Sequence, residues 1–336
     1  MEDESFTSMD QVSAHIDRGW DLLQRGDLPG ALASAKRGLE LDAESAEAHY
    51  LVGYIHAQEG SPEEALEHYE HALELDETFY EAMLAAAEVL LHALGNHKEA
   101  MRHVESAIDL AETPEETADA LLLKIDAQLL TGDEAGARRT VALLPQEASD
   151  NPQLDFLIAR ASFEAGIHDQ VEERLRRALA AEPHHADALY YLGLCLDHKH
   201  DHRGATVSFL QTRELDLRQP HVPWSLTSDL FERKVQSVIQ RLAAPYRNAL
   251  EGALVVVVDA PGAEIVADGV DPRAIVLLDA LGPAEEPPQV GRLFVYQRNV
   301  ERAAPQVHAV EDEILRGIER ELTAAYPNAY SETGNA

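Results

Sequence analysis

Residues 18–42 read RGWDLLQRGDLPGALASAKRGLELD and residues 52–76 read VGYIHAQEGSPEEALEHYEHALELD. Laid over one another they coincide at Gly19 and Gly53, Gly26 and Gly60, Ala31 and Ala65, Gly38 and Ala72, Leu39 and Leu73, Leu41 and Leu75, and Asp42 and Asp76, each pair 34 residues apart. A fixed period of that size marks stacked supersecondary units, each too small to bury its apolar face alone. The small residues say how a unit is built. Two antiparallel helices approach to about 8–10 Å only where facing side chains are small, so Gly19 or Gly53 on a first helix should meet Ala31 or Ala65 on a second. Gly26 and Gly60 fall in the turn between, where a left-handed residue ends a helix at little steric cost.

The period continues with decay. A third unit (80–114) keeps Gly95, Ala100 and Ala107 but carries one extra residue, and a fourth (118–151) keeps Gly132 and Ala137. A fifth (152–185) keeps Gly166, Ala178 and Pro183, and a sixth (186–219) keeps Gly193, Ala205 and Phe209. Six units over residues 12–219 exceed the roughly three that such arrays need to bury a continuous core. Period and residue size together resemble the tetratricopeptide-repeat (TPR) family, which implies an α-helical TPR solenoid that works by holding a partner chain.

In that family the first helix of each repeat lines a concave face, and carrying its register over selects Ile16, Trp20 and Gln24, then Tyr50, Tyr54 and Gln58. The same register selects Glu47, Glu81, Glu88, Asp119, Asp126 and Asp187, a groove wall of one sign. The resemblance thus implies a peptide or protein partner whose segment stacks on Trp20, Tyr50 and Tyr54 while its Lys or Arg residues meet the acids. A second reading stays open, in which the aromatics fill gaps between repeats and the acids form a solvated face. Chaperone-binding TPRs hold a terminal carboxylate with basic and amide side chains; here those positions carry Ile16, Trp20, Tyr50, Tyr54, Leu84 and Glu88, so that clamp is missing.

Bulk composition narrows the partner further. The chain has 336 residues and a formal net charge of −34, which repels phosphate backbones and anionic lipid alike, so neither nucleic acid nor membrane is expected as a partner. One cysteine, Cys195, forms no internal disulfide, and the acidic opening MEDESFTSMDQ lacks the basic and apolar regions of a signal peptide. A soluble cytoplasmic protein is the expectation, with disorder over 1–11 and 329–336 and no cofactor. No GxGxxG, P-loop, GxSxG or EF-hand pattern occurs.

The last third differs in kind. Pro220 and Pro223 break the periodicity and make 220–224 a linker. Over 225–328 a helix precedes the β-branched run ALVVVVDAP, a Pro/Gly/Glu-rich loop leads to RLFVYQRNVER, and a helix closes near 306–326, the order of a small α+β domain with mixed strands. Phe231, the strand Val255–Asp259, Leu281-Gly282 and the strand Leu293–Arg302 resemble, in order, the minimal zincin-like domain of a family of small bacterial proteins. That family closes on a helix bearing HExxH, where two His hold zinc and the Glu polarises its water. The corresponding positions here read Arg316, Gly317, Ile318, Glu319 and Arg320. The resemblance therefore implies a pseudoenzyme, a degenerate metallopeptidase fold without catalytic residues; the alternative is a zinc metallopeptidase whose repeats recruit substrate. Two remaining metal candidates are His308 with Glu311, where Asp312 stands in place of a second His, and the turn DHKHDHRG with His198, His200 and His202.

Overall fold

The computed structural model describes residues 2–147, 149–280 and 289–327. The Leu281-Gly282 match and the tail assigned to 329–336 lie outside the described residues. The chain divides into two compact units between Ala181 and Glu182.

The first unit is a stack of five helical hairpins: α1 (Glu2–Gln24) with α2 (Leu28–Leu41), α3 (Ala46–Glu59) with α4 (Pro62–Leu75), α5 (Tyr80–Glu88) with α6 (His97–Leu110), α7 (Pro114–Leu130) with α8 (Glu134–Val141), and α9 (Pro152–Glu164) with α10 (Val171–Ala181). The side chains of Asp27, Ser45, Asn96, Asp133 and Asn151 accept backbone N–H groups at helix starts, and Thr113 with Glu116 closes a reciprocal capping box. Gly26 and Gly60 hold φ of 77° and 78°, the left-handed turn that their spacing predicts. A Cβ at Gly53 would lie 2.7 Å from the Tyr69 ring and 3.0 Å from the Ala65 carbonyl, so the second hairpin closes where the sequence places its small residues.

Two findings depart from expectation. The extra residue of the third repeat is absorbed inside its first helix, which widens into a π turn over Val89–Ala93, with the Leu94 N–H donating to the Val89 carbonyl at 3.1 Å. Residues 2–11, expected to be disordered, lie in α1. That stretch has neither Gly nor Pro to interrupt the helix that follows it.

The second unit begins with the sixth hairpin, α11 (Ala186–His198) and α12 (His202–Arg218), which the 34-residue period groups with the array. Its turn keeps the left-handed backbone without glycine, His200 standing at φ 61°. Then follow α13 (Ser228–Arg241), α14 (Ala244–Ala249), β1 (Leu254–Val258), α15 (Ala263–Ala267), β2 (Val276–Ala280), β3 (Val290–Tyr296), α16 (Gln297–Ala303) and α17 (Val310–Ala325). The sheet is mixed, as expected: its order is β1-β3-β2, with β1 parallel and β2 antiparallel to β3. Phe231, Val235 and Val238 of α13 and Ile314, Ile318 and Leu322 of α17 join Leu293 and Val295 in one buried core.

The strand expected over Leu293–Arg302 ends at Tyr296, because Gln297 onward turns into α16. That helix fastens the unit. Glu301, buried, accepts from Ser225 Oγ at 2.7 Å, the Leu226 N–H at 3.0 Å and Gln297 at 2.8 Å. Arg298 donates to the Gln219 carbonyl at 2.9 Å, and Arg302 reaches Asp216 of α12. Asp216 also takes Arg273 at 2.9 and 3.2 Å, and Arg273 lies 4.5 Å above the Tyr190 ring of α11. The segment expected to be a linker is thus tied down by the polar residues of α16, and the same residues hold the sixth hairpin to the sheet.

Candidate functional site

The first unit carries a cavity of about 560 Å³ on its second and third hairpins. Tyr50, Tyr54 and Gln58 of α3 line it at successive turns of one helix face, together with Glu81, Leu84 and Glu88 of α5 and Asp119 of α7. Five of the residues singled out as partner-binding therefore meet in one place. Tyr69, Tyr80 and His92 line it too, none of them selected by the repeat register. Tyr69 comes from the second helix of its hairpin, Tyr80 opens α5, and His92 is carried by the π turn. The extra residue of the third repeat was the available sign that its helix face is displaced there.

The aromatic part is continuous. The Trp20 ring sits 5.9 Å from Tyr50 and 5.2 Å, edge-on, from Tyr54; Tyr50 in turn lies 5.8 Å from Tyr69 and 5.1 Å from Phe79. Burial pushes the Tyr50 hydroxyl up to about 12, with the Glu81 carboxylate, Tyr54 and Glu88 adding to it. Burial likewise raises Tyr69 and Tyr80, and the Tyr80 hydroxyl donates to the Glu116 carbonyl. At pH 7 these phenols are neutral faces with polar tips.

The acidic part is unmatched. Among the described residues none of Glu81, Glu88 and Asp119 forms an ion pair. Burial raises the Asp119 carboxyl above its ordinary value, and Glu115 and Glu116 raise it further. Beyond His92 the wall changes character: Asp126 lies 3.4 Å from Arg160 and 4.0 Å from His92, in a second cavity floored by Leu129 and Leu130.

Six placements differ from the expected groove, Glu47 and Asp126 among them, neither of which lines this cavity. Ile16 is buried with Val12, Ala31, Ala35, Ala48 and Leu51, because an aliphatic side chain at that position gains more from the core than from the surface. Trp20 packs on the same cluster and reaches the cavity only through Tyr50 and Tyr54. Gln24 does not line the cavity. Asp187 lies in the second unit, its carboxylate 2.7 Å from Arg273. Asp126 and Asp187 are therefore not part of a wall of one sign.

The degenerate motif positions lie on α17. Arg316 and Arg320 are 66% and 64% exposed and pair with Glu313 and Glu321. Gly317 is pressed on the sheet: a Cβ there would stand 2.7 Å from Val276 and 3.1 Å from Ile275. In the sixth turn, Asp201 caps α12 and His202 lies 3.0 Å from Asp197. Among the described residues no group of three or more His, Cys, Asp or Glu side chains is set to hold a metal ion, and no helix is long and apolar enough to cross a membrane.

Known proteins agree with the hairpins. A tetratricopeptide-repeat profile matches residues 16–78 and 155–210, and a second one matches 56–115; these segments are tetratricopeptide repeats. The structure is similar to that of Pseudomonas aeruginosa PilF, at 19% identity over 63% of this chain and 95% of that one, with a TM-score of 0.53. It is also similar to PilW, a type IV pilus biogenesis factor (19% identity, 62% and 94% coverage, TM-score 0.51). A chain of the APC/C Cut9–Hcn1 hetero-tetramer resembles it too (16% identity, 62% and 41% coverage, TM-score 0.52). At such identities the likeness is one of fold. No curated protein sequence matches the chain.

Proposed function

We propose that this protein is a non-catalytic scaffold that holds an extended or helical segment of a partner protein in the cavity between its second and third hairpins. Tetratricopeptide-repeat proteins generally mediate protein–protein interaction. The observation that carries the proposal is the meeting of Tyr50, Tyr54, Gln58, Glu81 and Glu88 around one cavity, with carboxylates that no cation among the described residues neutralises. A partner with Lys or Arg beside an apolar or aromatic residue supplies the missing charge and lies against the tyrosine faces. We read the second unit as a pseudo-metallopeptidase module. The tight seat of Gly317 on Val276 supports only the non-catalytic part of this reading, since a general-base Glu at that position would collide with the sheet. Action in the cytoplasm is the reading supported by the single thiol Cys195, which is buried in α11.

A peptide array of basic, acidic and neutral sequences, probed with the full chain, tests the site. Basic peptides should dominate, and Tyr54→Ala should weaken the best of them by about 1–2 kcal/mol, the range of a hot-spot residue, with helicity unchanged. Equal binding by the variant, or preference for acidic peptides, would retire the proposal.

A further inference from the structure

His92 borders two cavities. The π turn over Val89–Ala93 sets its imidazole on the wall of the cavity that holds Tyr50 and Tyr54, and also on that of a second cavity of about 480 Å³. The second is lined besides by Asp126, Leu129 and Leu130 of α7 and by Arg160 and Glu164 of α9. A π turn adds one residue to a helical turn and shifts the face that follows it, and such turns recur at functional sites. The two cavities are neighbours, yet they differ in charge. In the first, Glu81, Glu88 and Asp119 have no counter-ion among the described residues. In the second, Arg160 lies 3.4 Å and His92 4.0 Å from Asp126, and neither Asp126 nor Glu164 is free. The floor of the second is apolar where water reaches it: Leu130, at the end of α7, is 55% exposed.

We propose that the second cavity is a subsite for an uncharged aliphatic side chain of the same partner segment, a reading that rests on the first cavity holding that segment's Lys or Arg. Covering Leu130 removes apolar surface from water, which favours an aliphatic occupant. A second cation meets no unmatched acid here, because Asp126 already has Arg160. An acid is disfavoured as well, since it would stand beside Asp126 and Glu164. The spacing between the two anchors follows from α7. Asp119 borders the first cavity and Leu130 the second, eleven residues apart on one helix and so about 16 Å apart along its axis. An extended chain covers that distance in about five residues at roughly 3.3 Å each, and a helical one in about eleven. The motif that fits both cavities is therefore a basic residue with Leu, Ile or Val at one of these two distances.

The probe is the strongest basic peptide of the array, with every residue outside its basic and aromatic core changed to Ser, together with copies that carry one Leu at successive distances from that core on either side. Fluorescence anisotropy with the full chain should show binding about fivefold tighter or more when Leu stands about five places out, or about eleven in a helical segment, and no gain from Leu next to the core. Leu130→Ser, at an exposed position, should abolish the gain and leave the Leu-free probe unchanged, whereas Tyr54→Ala should weaken both probes. Lys in place of that Leu should gain less. Failure of every basic probe to bind would end the first cavity's reading and this one together. Binding of the Leu-free probe with no gain from Leu at those distances, a gain that survives Leu130→Ser, or an equal gain from Lys would overturn the subsite alone.

Discussion

The cavity beside α3 and the contact between α12 and α16 draw on the same excess of acid, and they treat it in opposite ways. Around α12 and α16, Asp216 takes Arg273 and Arg302, Asp187 takes Arg273, and buried Glu301 is filled by Ser225, Leu226 and Gln297. Around the cavity Glu81, Glu88 and Asp119 have no counter-charge among the described residues. With only 27 Lys and Arg against 61 Asp and Glu, cations are scarce, and their position separates acids that are paired within the fold from acids that have no counter-charge among the described residues. Matched buried charges are costly to break, whereas unmatched surface charges contribute little until a partner arrives.

That contrast can be broken first at its strongest point. Asp216→Asn should leave Arg273 and Arg302 without their shared carboxylate and lower stability by about 3 kcal/mol in a denaturant melt, whereas Glu88→Gln should stay within about 0.5 kcal/mol of the parent. Equal effects would erase the distinction. Next comes Gly53→Ala, whose Cβ would drive into the Tyr69 ring and the Ala65 carbonyl; the expected loss is about 1–3 kcal/mol, together with weaker peptide binding because Tyr69 supports Tyr50. A melt and a binding titration on the same sample check both.

The smallest effect concerns acid. His68 is held near 4 in the fold, by burial first and then by His49 and His56, against about 6.5 unfolded, so the unfolded chain takes up its proton earlier as pH falls. Its contribution is intact above pH 6.5 and is lost progressively between 6.5 and 4. A decline on the order of 1 kcal/mol, discounted because the ring is only partly withdrawn from water, should be flattened by His68→Gln in melts from pH 7 to 4.

The repeat was legible because close packing and left-handed turns demand particular residues: Gly53 against Ala65, and Gly26 and Gly60 at positive φ. The lining of the cavity was half legible. Its register found Tyr50, Tyr54, Gln58, Glu81 and Glu88 but counted Ile16 as surface, since a positional rule ignores how strongly an aliphatic side chain is drawn into the core. His92 escaped because the added residue of the third repeat shows as length, while its conversion into a π turn depends on packing around α5 and α6. In the second unit YQRNVER read as strand: Leu293–Tyr296 does pair with β1 and β2, but the polar residues that follow find partners only as a helix against segments distant in sequence, Asp216 and residues 219–226.

If a partner lies in the cavity of the second and third hairpins, chemistry placed on its wall must reach that partner. A photo-crosslinking amino acid at Gln58, on the cavity wall, should attach to the bound basic peptide next to its Lys or Arg, and the same probe at Gln24, away from the cavity, should give little adduct. Attachment at Gln24 without attachment at Gln58 would contradict a partner seated there.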